Sequence, residues 1–271
     1  MTKFLDIMNF DIRFSNIHIN SYFVFVSLGI VIGCLFLVFY RKDMRKYRND
    51  LFYCFLYAFI GIIIGSKLLY IILVLKYLIA DPSLWLHVLE GGLVFYGGVI
   101  GGMIGALIYI RTYNMPMLDF LDSAAMGIPI GHAIGRLGCL VGGCCYGKAT
   151  DCALGIIYPE SNLAAPSLIK VHPVQLYESL ANLAIFLVLL LVFSKHKRKG
   201  LITGVYFILY GIARFVLEFF RADFRGNIGI LSTSQFISVF IIIIGIILVY
   251  GKYNDKLESI FSKKNKEKLN N

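Results

Sequence analysis

Charge is what this sequence has least of. Asp, Glu, Lys and Arg make up 15% of its 271 residues, against 58% hydrophobic residues and a mean hydropathy of +0.76. A soluble core of this length does not carry that apolar load with so few charges, so the shortage excludes a soluble globular domain. What remains is an all-α integral membrane protein, with one membrane domain over residues 1–251 and a basic tail at 252–271. Acidic residues are the scarcer sign, 16 against 26 Lys and Arg, for a net charge of +10. Also missing from the first 20 residues is a basic stretch followed by an apolar core and a small-residue cleavage site. No cleaved signal peptide is expected, and the first span is retained. There is no internal repeat of transporter type. Nor is there a C-x2-C knuckle pair, so no metal site or cofactor is expected.

Crossing ~30 Å of hydrocarbon takes roughly 20 apolar residues. Stretches that meet this are 21–40, 52–75, 173–194, 201–220 and 229–251. The stretch 87–110 is a sixth, unusual for Glu90 and the glycines of GGLVFYGGVIGG. The least apolar, 118–141, holds Asp119, Asp122, Pro129, His132 and Arg136. Together they predict seven transmembrane helices. Loop charge tests the count, because Lys and Arg concentrate on the cytoplasmic side. One set of alternating loops, including RKDMRKYRND, KHKRKG and the tail, holds sixteen basic residues and the other holds seven. An odd number of spans with the N-terminus outside and the C-terminus cytoplasmic fits both. Most Lys-rich tails of this kind simply sit near an anionic leaflet.

At ~1.5 Å rise per residue, Arg136 lies roughly 27 Å, Lys67 about 24 Å and Arg214 roughly 20 Å from the inner boundary, while Tyr96 is some 15 Å below the outer one. Tyr22 enters at the outer end of the first span. Five spans therefore send polar groups to the outer half of the bilayer. A buried arginine costs from ~2.5 to well over 10 kcal/mol, so it requires partners or a water-filled cavity. Arg136 and Arg214 have no matching carboxylates nearby in sequence beyond Glu218, which is i, i+4 from Arg214, and two such cations ask for an anionic ligand. Arg221, near the end of its span, reads as snorkelling or closing a structural pair.

Glycines decide what can approach. Gly101 and Gly105 read as a helix-packing face, whereas Gly97 and Gly98 beside Tyr96, and Gly135 and Gly138 around Arg136, leave side-chain-free volume that fits a lipid headgroup. Residues 171–179 (VHPVQLYES) open a helix whose first turn is either an anion contact or only a well-capped start, and His172 alone decides nothing. Cys34 and Cys54 read as small core residues. Cys139, Cys144, Cys145 and Cys152 cluster after the fourth span. A disulfide from Cys152 to Cys139 or Cys144 is conceivable, and adjacent Cys144 and Cys145 do not suit one another.

Several stretches together resemble the prolipoprotein diacylglyceryl transferase family of bacterial inner membranes. They are GGLVFYGGVIGG, GRLG at 135–138 followed by GCCYGKAT, HPVQLYES at 172–179, ARFVLEFFRAD at 213–223 and LSTSQ at 231–235, with Tyr22 and GSKLLY as weaker echoes. The resemblance implies a multi-pass protein of the bacterial cytoplasmic membrane. It would move the diacylglyceryl group of phosphatidylglycerol to the thiol of a lipobox cysteine in a prolipoprotein signal peptide. It implies that Arg136 and Arg214 hold the phosphate, that Glu218 orients Arg214, and that Tyr22, His172, Gln175 and Tyr177 line the headgroup pocket. No nucleic-acid partner is expected. The sequence departs from the family pattern at Tyr96-Gly97-Gly98, where His-Gly-Gly is usual. It departs again at Cys139 and Gly142-Gly143-Cys144, where Asn and Asn-Gly-Glu are usual, and at Lys67, where Arg is usual. Headgroup electrostatics are kept while proton-handling groups change, with Tyr96 standing where a base would be. The alternatives are a divergent lipid-modifying transferase with another acceptor, an anionic-phospholipid binding or transport protein, and a thiol redox protein.

Overall fold

The structure, a computed structural model, describes residues 11–14, 17–40, 47–81, 83, 85, 88, 92, 94–158, 166, 168–196, 198–222, 226–252 and 254–261. It divides into two compact units, Met1–Tyr40 with Leu121–Asn254, and Arg41–Phe120 with Asp255–Asn271. The helices are α1 (Ser21–Tyr40), α2 (Arg48–Ala80), α3 (Phe95–Thr112), α4 (Met117–Val141), α5 (Val174–Lys195), α6 (Leu201–Leu217, continued by a 3-10 turn at Glu218–Phe220), α7 (Thr233–Tyr250) and α8 (Asn254–Phe261). Among the described residues three short antiparallel ribbons accompany them: β1 (Asp11–Phe14) with β2 (Ile17–Asn20), β3 (Ile156–Ile157) with β4 (Lys170–Val171), and β5 (Asn227–Ile228) with β6 (Leu231–Ser232).

Among the described residues five helices are long and apolar enough to cross a membrane: Arg48–Ala80, Met117–Val141, Val174–Lys195, Leu201–Phe220 and Thr233–Tyr250. Ser21–Leu37 is a shorter apolar helix. Exposed Phe52, Phe59, Ile64, Leu73 and Ile79 run along α2, as a surface meant for lipid requires. The third span differs from expectation, because its helix begins at Phe95 rather than near 87. Glu90 lies outside the described residues.

In the first unit, α4 stays helical through Pro129, although proline supplies no N–H to the helix ladder. Glycines bring α1 and α4 into backbone contact. A Cβ on Gly29 would stand 2.4 Å from the Gly131 carbonyl oxygen, and one on Gly33 3.0 Å from that of Gly127. Asp122, which made α4 a poor span on paper, is buried with its carboxylate on the start of α6. It accepts from Gly200 N (2.8 Å), Thr203 N (2.8 Å) and Thr203 Oγ1 (2.6 Å). It satisfies N–H groups that the helix cannot satisfy itself and complements the positive end of the dipole. Ala125, Met126, Ile185, Leu189, Ile202 and Tyr206 form the adjoining core. The LSTSQ stretch is a capping box: Ser232 Oγ accepts from Gln235 N and Gln235 Oε1 accepts from Ser232 N, both at 3.1 Å, starting α7.

In the second unit, α2 and α3 pack glycine against glycine. Added Cβ atoms on Gly97, Gly101 and Gly105 would lie 2.3, 2.1 and 2.3 Å from the carbonyl oxygens of Gly65, Gly61 and Tyr57. A Cβ on Gly98 would meet Ser66 Oγ at 2.6 Å. The expectation that Gly97 and Gly98 leave room for a ligand is therefore corrected, because the partner helix fills that room. Lys67 donates to the Val88 carbonyl, and Tyr109 donates to Asp50 at 2.9 Å.

Candidate active site

The first turns of α5 carry a polar stripe in an apolar helix. Gln175, Glu178, Ser179 and Asn182 are all buried and lie at i, i+3, i+4 and i+7, hence on one face. Ser179 Oγ donates to the Ala133 carbonyl at 2.8 Å, fixing this face against α4. Asn182 Nδ2 donates to the Glu178 carbonyl at 2.7 Å.

Three arginines, from α4, α6 and the segment just after it, converge on Glu178. Arg136 Nε, from α4, lies 2.5 Å from Oε2. Arg214, from α6, and Arg221, just past the 3-10 turn, reach Oε1 through an Nη atom at 3.2 and 3.0 Å. A second carboxylate completes the cluster: Arg214 pairs with Glu218 at 2.8 Å and also donates to Ser234 Oγ at 2.9 Å, while Ser232 Oγ donates to Glu218 at 2.9 Å. Three guanidiniums thus face two carboxylates, an excess of one positive charge in a setting where an unpaired ion costs several kcal/mol, of order 3–5. The premise that Arg136 and Arg214 lack carboxylate partners is corrected. Glu178 lies 42 positions from Arg136, on a different helix, where spacing along the chain cannot show it. Arg221 does not snorkel; its side chain is 1% exposed and closes a pair with Glu178.

Arg136 is held by its Nε, which also donates to His132 Nε2 at 3.1 Å. Among the described residues its two terminal nitrogens make no hydrogen bond. Among the described residues a Cβ on neighbouring Gly135 would have nothing within 4 Å, so that glycine borders open space. Gly138 does not, since its Cβ would meet Phe25 Cβ at 2.8 Å and the Tyr22 carbonyl at 3.1 Å. It seats α4 against the start of α1 and brings Tyr22 over this end of α4. A cavity of about 10 Å³, the room for one water, is lined by His132, Glu178, Asn182, Tyr210 and Arg214 among others.

The other expected residues divide. His172 Nδ1 and Tyr177 OH lie 3.3 Å apart, with both rings edge-on to Phe220. Gln175 is fully buried, and its Nε2 donates to the Cys144 carbonyl (2.7 Å) and to Tyr158 OH (2.9 Å). Tyr96 belongs to the second unit, where it is 41% exposed on the first turn of α3. His132, Glu178, Asn182 and Ser234 are site residues that sequence reasoning passed over, whereas Arg221 was read as snorkelling or closing a structural pair and closes one. The buried stripe on α5 was the available signal.

After α4 the chain folds back as a braced loop. Gly147 N donates to the His172 carbonyl (2.9 Å), Lys148 N to that of Phe220 (2.8 Å) and Thr150 N to that of Lys170 (2.9 Å). Leu140, Ile156, Tyr158 and Val171 form the core beneath, and burial pushes the Tyr158 phenol up. All six cysteines are free in the structure, without the disulfides considered for Cys152, which is exposed. Hydrogen bonds with the Cys139 and Cys144 thiols, and Arg221 alongside, hold the Cys145 thiol well below the usual thiol range. Its neighbours Cys139 and Cys145 push Cys144 up.

Comparison with known proteins places this arrangement. Residues 9–251 match the family model described as prolipoprotein diacylglyceryl transferase. The chain is 40% identical over 232 residues to the phosphatidylglycerol–prolipoprotein diacylglyceryl transferase 2 of Clostridium perfringens, covering 85% of this chain and 90% of that protein. It is 40% identical over 229 residues to the Clostridium tetani transferase of that name (84% and 91% covered) and 36% over 242 residues to that of Wolbachia pipientis from Culex pipiens (84% and 90%). With the match running through α1 to α7 and the arginine cluster inside it, the chain belongs to the prolipoprotein diacylglyceryl transferase family.

Proposed function

We propose that this protein transfers the diacylglyceryl group of phosphatidylglycerol to the cysteine thiol of a prolipoprotein lipobox, releasing glycerol phosphate. One observation carries the reading: Arg136 and Arg214 meet on one carboxylate, and Arg136 keeps both terminal nitrogens for another anion beside the open face of Gly135. A fixed guanidinium matches a phosphate with two parallel N–H donors. In the reaction a sulfur–carbon bond forms at the glyceryl carbon as the carbon–oxygen bond to phosphate breaks. The leaving phosphate takes up a second negative charge, and the thiol proton passes to it or to solvent. Preorganised cations aimed at that charge stabilise the transition state more than the substrate, which is what accelerates a reaction.

Glu178 acts as a positioning residue. It pulls three arginines to one point, and the one-charge excess is what the phosphate neutralises. The cavity of about 10 Å³ is too small for a headgroup, so binding includes a rearrangement of side chains around Arg136 and Arg214. Glu218 and Ser234 orient Arg214. Tyr22, His172 and Tyr177 contact the headgroup. The protein is a multi-pass membrane protein. The finer reading is seven spans in the bacterial cytoplasmic membrane with the N-terminus outside, supported by loop charge and testable by reporter fusions at the N-terminus and at residue 198.

The test is to incubate the purified protein with labelled phosphatidylglycerol and a lipobox peptide, and then repeat with Arg136→Ala and Arg214→Ala. Diacylglyceryl peptide from the unmodified protein, lost in both variants, is expected. Glycerol phosphate without a peptide product would argue for another acceptor. Lipid bound but never turned over would mean a binding protein.

A further inference from the structure

The end of α4 and the loop after it carry a second chemical cluster that the arginine site does not use. The Sγ atoms of Cys139, Cys144 and Cys145 all lie within 4.8 Å of one another. Thiolates around a soft cation sit about 2.3 Å from it, which puts sulfurs roughly 3.8 Å apart in a tetrahedral set, so small side-chain rotations close this triad onto an ion. The sequence spacing C-x4-C-C hides the site, because ligand knuckles are ordinarily read from C-x2-C pairs. Folding supplies what spacing does not. Gly142 N and Cys144 N donate back to the carbonyls of Gly138 and Cys139, wrapping the chain over the end of α4. Gly143 (φ 66°) and Cys145 (φ 59°) both take the left-handed conformation, rare for a residue such as Cys145, and this returns the adjacent thiols to Cys139. Gln175 anchors the Cys144 carbonyl from α5, and the bonds of Gly147 and Lys148 pin the far side.

The surroundings suit thiolate ligands. The three residues are half-buried or buried, beside the apolar cluster of Leu140, Tyr146 and Tyr158. Three soft donors with no carboxylate among them select a thiophilic ion over Mg2+ or Ca2+.

We propose that Cys139, Cys144 and Cys145 bind one thiophilic cation of the Zn2+ or Cu+ class through three thiolates. Each S–H bond gives its proton to solvent as an S–metal bond forms, and no electron is transferred. With three protein ligands, a fourth position on Zn2+ stays open to water or a further thiol. The site rests on the thiol geometry alone and stands or falls independently of the transferase reading.

The experiment uses the full-length protein in detergent, kept reduced with a phosphine. Zn2+ uptake is measured by equilibrium dialysis and elemental mass spectrometry, and Cd2+ serves as an optical probe of thiolate charge transfer. One ion per chain and a saturable ultraviolet band are expected. Cys139→Ser, Cys144→Ser and Cys145→Ser should each weaken binding by about tenfold or more, a ligand loss costing at least what a loss in the surrounding shell does, while Cys34→Ser and Cys152→Ser leave it unchanged. Bound Zn2+ should also protect three thiols from maleimide in the unmodified chain, counted by intact mass, a readout that needs no variant. Equal uptake by the triple serine variant, uptake without the thiolate band, or loss of two hydrogens with no ion bound would each overturn the proposal, the last in favour of a disulfide.

Discussion

Two glycine-rich helix contacts in this protein look alike on paper and do different work. In the α2–α3 pair, Gly61, Gly65, Gly97, Gly101 and Gly105 bring backbones so close that a single added Cβ would fall within 2.1–2.3 Å of a carbonyl oxygen of the facing helix. On α4, Gly131 packs in the same way against α1, but Gly135, one turn on, borders open space beside Arg136. Glycine spacing therefore reports that something approaches closely and leaves open what it is. In the first region it is another helix. In the second it is a helix on one side and, beside a guanidinium with nitrogens to spare, room for a ligand on the other.

The sharpest way to break that comparison is at the charge hub. Glu178→Gln leaves three arginines facing one carboxylate and should cost about 3–5 kcal/mol of stability, read as a large loss of folded protein on thermal challenge. Arg136→Ala should instead lower turnover by about 10²–10³-fold with a much smaller change in melting temperature, because the hub keeps two of its three cations. A variant that loses folding as badly as Glu178→Gln would make Arg136 a structural residue. Next come the glycines. Gly101→Ala, with backbone 2.1 Å from the new methyl, should destabilise by roughly 1–3 kcal/mol. Gly135→Ala should melt as the unmodified protein does while its KM for phospholipid rises. Equal melting losses at both positions would erase the distinction. Asp122→Ala strands the start of α6 and should cost about 1–3 kcal/mol without touching the arginines, so its kcat at a permissive temperature stays near normal. Smallest is Ser234→Ala, which removes one acceptor from Arg214 and should lower kcat only a few-fold.

Helices were legible wherever uninterrupted hydrophobicity decided them. Residues 21–40 form a helix where their apolar run indicates, and 201–220 do so with a 3-10 turn from Glu218, because in lipid the backbone has no other way to satisfy its hydrogen bonds. α4 was harder to read for a related reason. Asp122, His132 and Arg136 lower its hydropathy, and each has a partner supplied by folding: the α6 N-terminus for Asp122, and one another and Glu178 for the other two. The site was half legible. Arg136 and Arg214 stood out as cations too deep to be accidental, whereas Glu178 sat in a segment that reads equally as a well-started helix. Gln175 was visible as polar, but its burial against Cys144 and Tyr158 was not.

By itself the sequence determined that this chain is a membrane protein built of apolar helices, and that two arginines within them need negative charge nearby, since both follow from the local cost of removing polar groups from water. Tertiary structure alone decided which negative charge that is, that Arg221 joins the same carboxylate, that Gly97 and Gly98 are filled by a helix, and that three cysteines spaced without any metal-binding pattern lie within 4.8 Å of one another. The physical reason is that pairing energies depend on distance through space, and residues as far apart as 136, 178 and 221 acquire such distances only when α4, α5 and the end of α6 pack together.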